Sequence, residues 1–328
     1  METLFDLLQA AATPLTQLLF QPGDRIYWFY LFCAGAIALA ANIRRKRPLA
    51  WRHVIALCFP RALMTHPSAI ADYALWLINS FLVLLTIPEF WTSGGAMEVT
   101  TRMALAGAFG TTDLGWTAAF PAQAIYTAVN ILAIDGGLFL AHYLHHRIPV
   151  LWEFHKVHHS AEVLTPITVF RVHPLELCIN VTTVATLIGL SAGIFGFLYG
   201  EPPKLFAING VNIVMFVFLV AGYHLRHSQV WVMYPAAIAR HISSPAMHLI
   251  HHSSDPRHAD KNFAQIFNFW DRLTGTLYLP TEEEAIAFGL HGGEQREFRG
   301  VARLYLQPFR NLWQKARQAA SALTSAVR

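Results

Sequence analysis

Three stretches of this chain carry histidines at helical spacing: His142-Tyr-Leu-His145-His146, His155-Lys-Val-His158-His159 and His248-Leu-Ile-His251-His252. Residues three and four apart share one face of an α-helix, so each stretch projects its imidazoles in one direction. Neutral imidazole is a ligand for iron, zinc, copper and nickel, and the spacing does not choose among them. His224 and His227 form a further pair at i,i+3, and His173 stands in Arg171-Val-His173-Pro174. A lone histidine is ordinarily a structural hydrogen-bonding group. That reading is kept for His53, His66, His258 and His291, which fall in no such spacing. It does not account for repeated H-x-x-H-H triplets, because packing has no use for three neighbouring imidazoles. Nine or more such side chains exceed the three or four protein ligands of one zinc ion, so two metals are expected. The expected ligands are His142, His146, His155, His158, His159, His227, His248, His251 and His252, with His145, His173 and His224 as further candidates.

Asp135 lies seven residues before His142, two helical turns back on the same side. A carboxylate within an apolar span is costly and calls for a function. The expected one is to accept a hydrogen bond from a ligand imidazole, fixing its tautomer. Gly136 and Gly137 should let another helix approach closely there.

The elements that carry these residues are membrane spans. Of 328 residues 54% are apolar and 13% charged, about half the charged fraction of a soluble domain. Five apolar runs have about the length needed to cross a ~30 Å bilayer core: Ile26 to Ile43, Ala69 to Trp91, Ala122 to about Ala141, Leu175 to Tyr199 and Leu205 to Tyr223. The first loop carries Arg44, Arg45, Lys46, Arg47, Arg52 and Arg61 and no acid; the second holds Glu89, Glu98 and Asp113 against Arg102. The excess of Lys and Arg places the first loop in the cytoplasm and the second outside. The N-terminus is then outside and the C-terminus inside, and every histidine cluster falls on the cytoplasmic side. The N-terminal segment lacks a basic n-region and is not read as a cleaved signal.

Residues 298 to 328 read as an amphipathic helix with Val301, Leu304, Tyr305, Phe309, Leu312 and Trp313 on one stripe and Arg299, Arg303, Arg310, Lys315 and Arg317 off it. Such a helix suits the lipid interface, with packing on the protein core as the alternative. The chain shows no internal repeat and is treated as one membrane domain: spans and loops to residue 119, a core over 120–280 and a tail over 281–328. Cys33, Cys58 and Cys178 fall in no metal or disulfide spacing. No nucleic-acid partner is expected. A zinc-dependent hydrolase would call for H-E-x-x-H, which is absent, and Glu153 precedes its cluster. A metal transporter would line a path across the bilayer rather than gather ligands at one face.

With these residues in view, the chain resembles the fatty acid hydroxylase superfamily, which includes sterol desaturases and lipid monooxygenases. Asp135, His142, His146, Pro149, Trp152, His155, His158, His159 and Ser160 look like its central signature. His248, His251, His252, Asp255, Pro256, Asn262, Trp270, Asp271 and Arg272 look like its C-terminal one, and Arg171, His173, Glu176 and His227-Ser228 also fit. Tyr143 stands where the family usually has Arg. The resemblance implies an all-α integral membrane fold of four to five spans with a cytosolic histidine-rich cap. It implies two iron ions, O2 as co-substrate and a lipid C–H bond as target, with desaturation as the alternative to hydroxylation. Asn262 and Asp271 join Asp135 as supporting candidates. Electrons must come from a separate donor, a ferredoxin or a cytochrome b5-type protein with its reductase, because no dinucleotide, haem or Fe–S motif is present. Lys156, Arg257 and Lys261 are candidates for its docking surface.

Overall fold

The computed structural model describes residues 19–45, 60–86, 93–115 and 119–326. The principal helices are α1 (Trp28–Arg44), α2 (Pro67–Thr86), α3 (Gly95–Phe109), α4 (Phe120–Arg147), α5 (Pro149–His159) and α6 (Pro174–Tyr199), followed by α7 (Ile213–Val220), α8 (Pro245–His251), α9 (Phe269–Thr274) and α10 (Val301–Ala326). Among the described residues one two-stranded antiparallel hairpin, β1 (Ala207–Ile208) and β2 (Val211–Asn212), pairs Ala207 with Asn212. Short 3-10 turns span Pro166–Phe170 and Tyr223–His227.

Among the described residues two helices are long and apolar enough to cross a membrane, α4 with 28 residues and α6 with 26. At ~1.5 Å per residue they measure about 42 and 39 Å. They run antiparallel: Tyr126 near the start of α4 packs on Phe195 near the end of α6, with ring centroids 4.9 Å apart. Gly137 makes the closest approach, since a Cβ there would lie 2.9 Å from the Val184 Cα. Gly189 and Gly193 on α6 do the same for α3, where a Cβ would lie 2.2 Å from the Gly94 carbonyl oxygen and 2.5 Å from Thr101 Cβ.

Proline sets the helix starts that matter. Pro149 holds Ile148 extended (φ −99°, ψ 114°), because a residue before proline avoids the α region. One residue therefore separates α4 from α5, and the elbow turns α5 across the end of α4. Pro174 and Pro245 open α6 and α8 in the same way. A buried ion pair ties this end together. Arg171 Nη1 donates to Asp72 of α2 at 2.8 Å, its Nε to the Val157 carbonyl at 2.7 Å and its Nη2 to Ser160 Oγ at 2.8 Å.

The expected spans Ala122 to Ala141 and Leu175 to Tyr199 lie within α4 and α6. The first expected span is α1, only 17 residues. The second is α2 as far as Thr86, and its remainder to Trp91 lies outside the described residues, as do Lys46, Arg47, Arg52 and His53. The fifth is corrected. Leu205 to Tyr223 is not one helix: Asn209 and Gly210 adopt positive φ in the hairpin, and α7 has eight residues, about 12 Å. Asn212 caps α7 and reaches back to Thr127 and Asn130 of α4. Part of the run packs on α1 and α4, with Phe218, Leu219 and Tyr223 around Tyr30 and Ile131, while Ile208, Ile213 and Val217 stay exposed.

Candidate metal centre

Beyond the elbow, α4 and α5 face each other through histidines, and α8 closes over both. Nine imidazoles collect there in two groups. His142, His146, His155, His159 and His251 form one; His158, His227, His248 and His252 form the other. Within each group the available ligand atoms all lie within 4.8 Å of one another. The helical spacing explains the division. On α5, His155 and His159 face the first group and His158 the second; on α8 and its cap, His251 faces the first and His248 and His252 the second.

The donor atoms fit metal ions. In the five-histidine group every Nε2 is buried with no hydrogen-bond partner. In the four-histidine group Nε2 atoms face one another, His248 to His227 and to His252 at 3.2 Å and His227 to His158 at 3.4 Å. Ligands ~2.0–2.1 Å from a tetrahedral metal stand about 3.4 Å apart. Burial, aided by repulsion from neighbouring imidazoles, pushes the pKa values of His155, His159, His251 and His252 well below the usual histidine range. They are held neutral, the form that ligates metal.

Acceptors facing Nδ1 orient most of the rings. His155 donates to Glu176 at 2.7 Å, His251 to the Lys261 carbonyl at 2.8 Å and His142 to the Phe263 carbonyl at 3.0 Å. His146 faces Asp260 and His158 the Arg171 carbonyl, both at 3.3 Å. A proton on Nδ1 leaves the Nε2 lone pair free for metal. His248 is the exception. Its Nδ1 receives a hydrogen bond from the fully buried Arg226 at 3.0 Å, and a guanidinium only donates.

The role expected for Asp135 is corrected. Its carboxylate meets no imidazole. It accepts from the backbone N–H of Ile266 at 2.8 Å and of Phe267 at 3.1 Å, and from Trp270 Nε1 at 2.9 Å. Asp271 accepts from the backbone of Phe263 and Ala264 at 2.9 Å each and from Thr276 Oγ1 at 2.6 Å. Asn262 (φ 58°) bridges the Met247 carbonyl and the Tyr278 N–H. All three shape the loop over 261–267, whose carbonyls orient His142 and His251. They serve the imidazoles at one remove.

Three candidate histidines lie outside both groups. His173 caps α6 through Nδ1 and donates from Nε2 to the Tyr305 carbonyl at 3.2 Å, so both nitrogens are engaged. His145 is buried with Nδ1 on the Ala141 carbonyl at 2.7 Å. His224 packs edge-on to Tyr223. His258 keeps its structural reading, paired with Glu284 at 3.0 Å. Two cations considered for donor docking are already paired, Lys156 with Glu153 and Glu294 and Arg257 with Asp255. Sequence reasoning did not assign roles to Glu176 and Arg226. The rule that singled out Asp135, a charge in an apolar segment, also finds Glu176.

Comparison with known proteins adds the family. Residues 127–276 match the fatty acid hydroxylase model. Over 310 residues the chain is 23% identical to an ornithine lipid hydroxylase of Rhizobium tropici, covering 89% of this chain and 88% of that protein. It is 28% identical over 188 residues to the alkylglycerol monooxygenase of Danio rerio, covering 56% of this chain and 36% of that protein. It is 27% identical over 179 residues to the cholesterol 25-hydroxylase of Rattus norvegicus, covering 52% of this chain and 54% of that protein. The chain thus spans about a third to a half of the last two. No solved structure matches. The segment that matches the fatty acid hydroxylase family, 127–276, holds every histidine of both groups.

Proposed function

We propose that this chain is an integral-membrane lipid hydroxylase holding two iron ions, one in each histidine group. The observation that carries the reading is the set of buried, unpartnered Nε2 atoms of His142, His146, His155, His159 and His251, gathered at one end of two apolar helices. Iron at these nitrogens would supply O2 activation and attack on an unreactive C–H bond. The residues of the chain do the rest. Glu176, Asp260 and the carbonyls of Lys261, Phe263 and Arg171 hold protons on Nδ1 of His155, His146, His251, His142 and His158 and keep those five rings aimed. Seven of the nine histidines are buried, and the Nε2 atoms of His142 and His146 are buried as well, which excludes water. The balance is one O2, two electrons and two protons, giving the hydroxylated lipid and one water. A separate donor, a ferredoxin or a cytochrome b5-type protein with its reductase, supplies the electrons.

The substrate class is a polar lipid with its head at the interface. The long match to the ornithine lipid hydroxylase favours an aminoacyl lipid. The histidine end faces the cytoplasm. Arg44 ends α1, and Arg45 beside it reaches the histidine side of the molecule, bonding the Trp231 carbonyl at 3.0 Å and Glu283 at 2.7 Å. The basic flank and the candidate metal centre therefore share a side.

The test joins metal content to lipid product. Purified protein should carry about two iron ions per chain, and His251→Ala should lose metal from the five-histidine group and all turnover. Lipids of expressing cells should gain the mass of one oxygen on one class. Loss of two hydrogens instead would establish a desaturase, and an iron-free wild-type protein that still modifies lipid would refute the reading.

A further inference from the structure

Helix α10 has two unlike faces. The inner face is fixed to the protein: Leu304 is fully buried among Ala71, Leu75, Val157 and Phe298. Asn311 and Lys315 donate to the buried Glu153 carboxylate of α5 at 2.8 and 2.5 Å, and the Tyr305 hydroxyl donates to Asn79 at 3.0 Å. The outer face is apolar and bare, with Leu306, Phe309, Trp313 and Leu323 exposed by 51, 48, 59 and 70%. At ~100° per residue these four occupy a sector of about 100°. Arg303, Arg310 and Arg317, all exposed, follow one edge of it, and α10 contains no Asp or Glu. The stripe begins where a membrane helix begins. Phe309 packs on Phe154 and on His173, the cap of α6, with ring centroids 5.3 and 5.6 Å apart. An apolar stripe with an arginine edge, leaving the protein beside the end of a membrane-crossing helix, matches the acyl and phosphate layers of a leaflet.

We propose that α10 is an interfacial anchor for an anionic phospholipid surface. Its apolar stripe enters the headgroup boundary and its arginines engage lipid phosphates. Because Glu153 ties it to α5, it also fixes how far the histidine groups stand from the leaflet. The proposal rests on the membrane reading above.

Its test uses the full chain in vesicles of phosphatidylcholine alone or mixed with phosphatidylglycerol. In a background lacking Cys33, Cys58 and Cys178, single cysteines replace Leu306, Phe309 or Trp313 on the stripe, and Gln314 or Gln318 away from it. Each carries a fluorophore read with iodide and with spin-labelled lipid. Stripe positions should be quenched by lipid and several-fold less by iodide than Gln314 and Gln318, and more so with phosphatidylglycerol. Arg310→Gln with Arg317→Gln should remove that added protection. Equal iodide quenching at all five positions, indifference to phosphatidylglycerol, or cross-linking of two copies through position 313 would each overturn it. Iron and product are not read, so failure here leaves the metal reading standing.

Discussion

Asp135 and Glu176 are two buried carboxylates in apolar helices with different work. Glu176 touches His155, whereas Asp135 touches backbone that lies behind His142 and His251. Their amide variants should therefore differ. Asp135→Asn turns one acceptor oxygen into a donor facing donors, and should cost about 2–3 kcal/mol of stability. It should speed hydrogen exchange at Ile266 and Phe267 more than it lowers iron content. Glu176→Gln should lower iron content with those amides still protected. The reverse pattern would return Asp135 to a direct role. The spacing marked the nine histidines in advance, because helical periodicity is local, but their division into two groups came only with the structure. The role of Asp135 was not, because its partners are more than a hundred residues away in sequence.

Protons would compete with the proposed metal at the same atoms. Burial pushes seven imidazoles outside the long helices below the usual range: His155, His158, His159, His227, His248, His251 and His252. The unfolded chain therefore binds more protons below an ordinary imidazole pKa of about 6.5, and stability rises with pH there. It should be fully present above that value and fall as pH drops beneath it, by up to about 1.4 kcal/mol per unit for each such histidine. Unfolding curves of metal-free protein between pH 7.5 and 5.5 check the sign. A flat profile would mean that the rings are solvated.

At the scale of elements, packing depends on bare backbone. A Cβ on Gly189 would meet the Gly94 oxygen at 2.2 Å, whereas Gly107 on α3 has open space around it. Gly189→Ala should destabilise by about 1–3 kcal/mol, and Gly107→Ala should gain about 0.5–1. Thermal unfolding in one detergent compares them, and equal shifts would show that α3 is not seated on α6. Of the elements, α4 and α6 were readable as apolar runs of spanning length. The fifth run was misread because hydropathy does not separate a crossing helix from a short helix behind a hairpin. Asn209-Gly210 was the local signal for the turn.

For the whole molecule, the basic end of α1 meets the histidine side, and α10 leaves from that same side. A reporter fused after Arg328 should read cytoplasmic, and a signal from the opposite side would overturn the orientation. The architecture also bears on biosynthesis. Each group draws its ligands from both the early helices and α8, so neither is complete when His159 has been made. The ribosome needs roughly 5 to 20 s more to reach His252 at ~5–20 residues per second. Through that interval the emerging chain holds only partial ligand sets. On the metal reading proposed above, neither site could fill before α8 has been made, and a message truncated before Pro245 would yield a chain with no complete group.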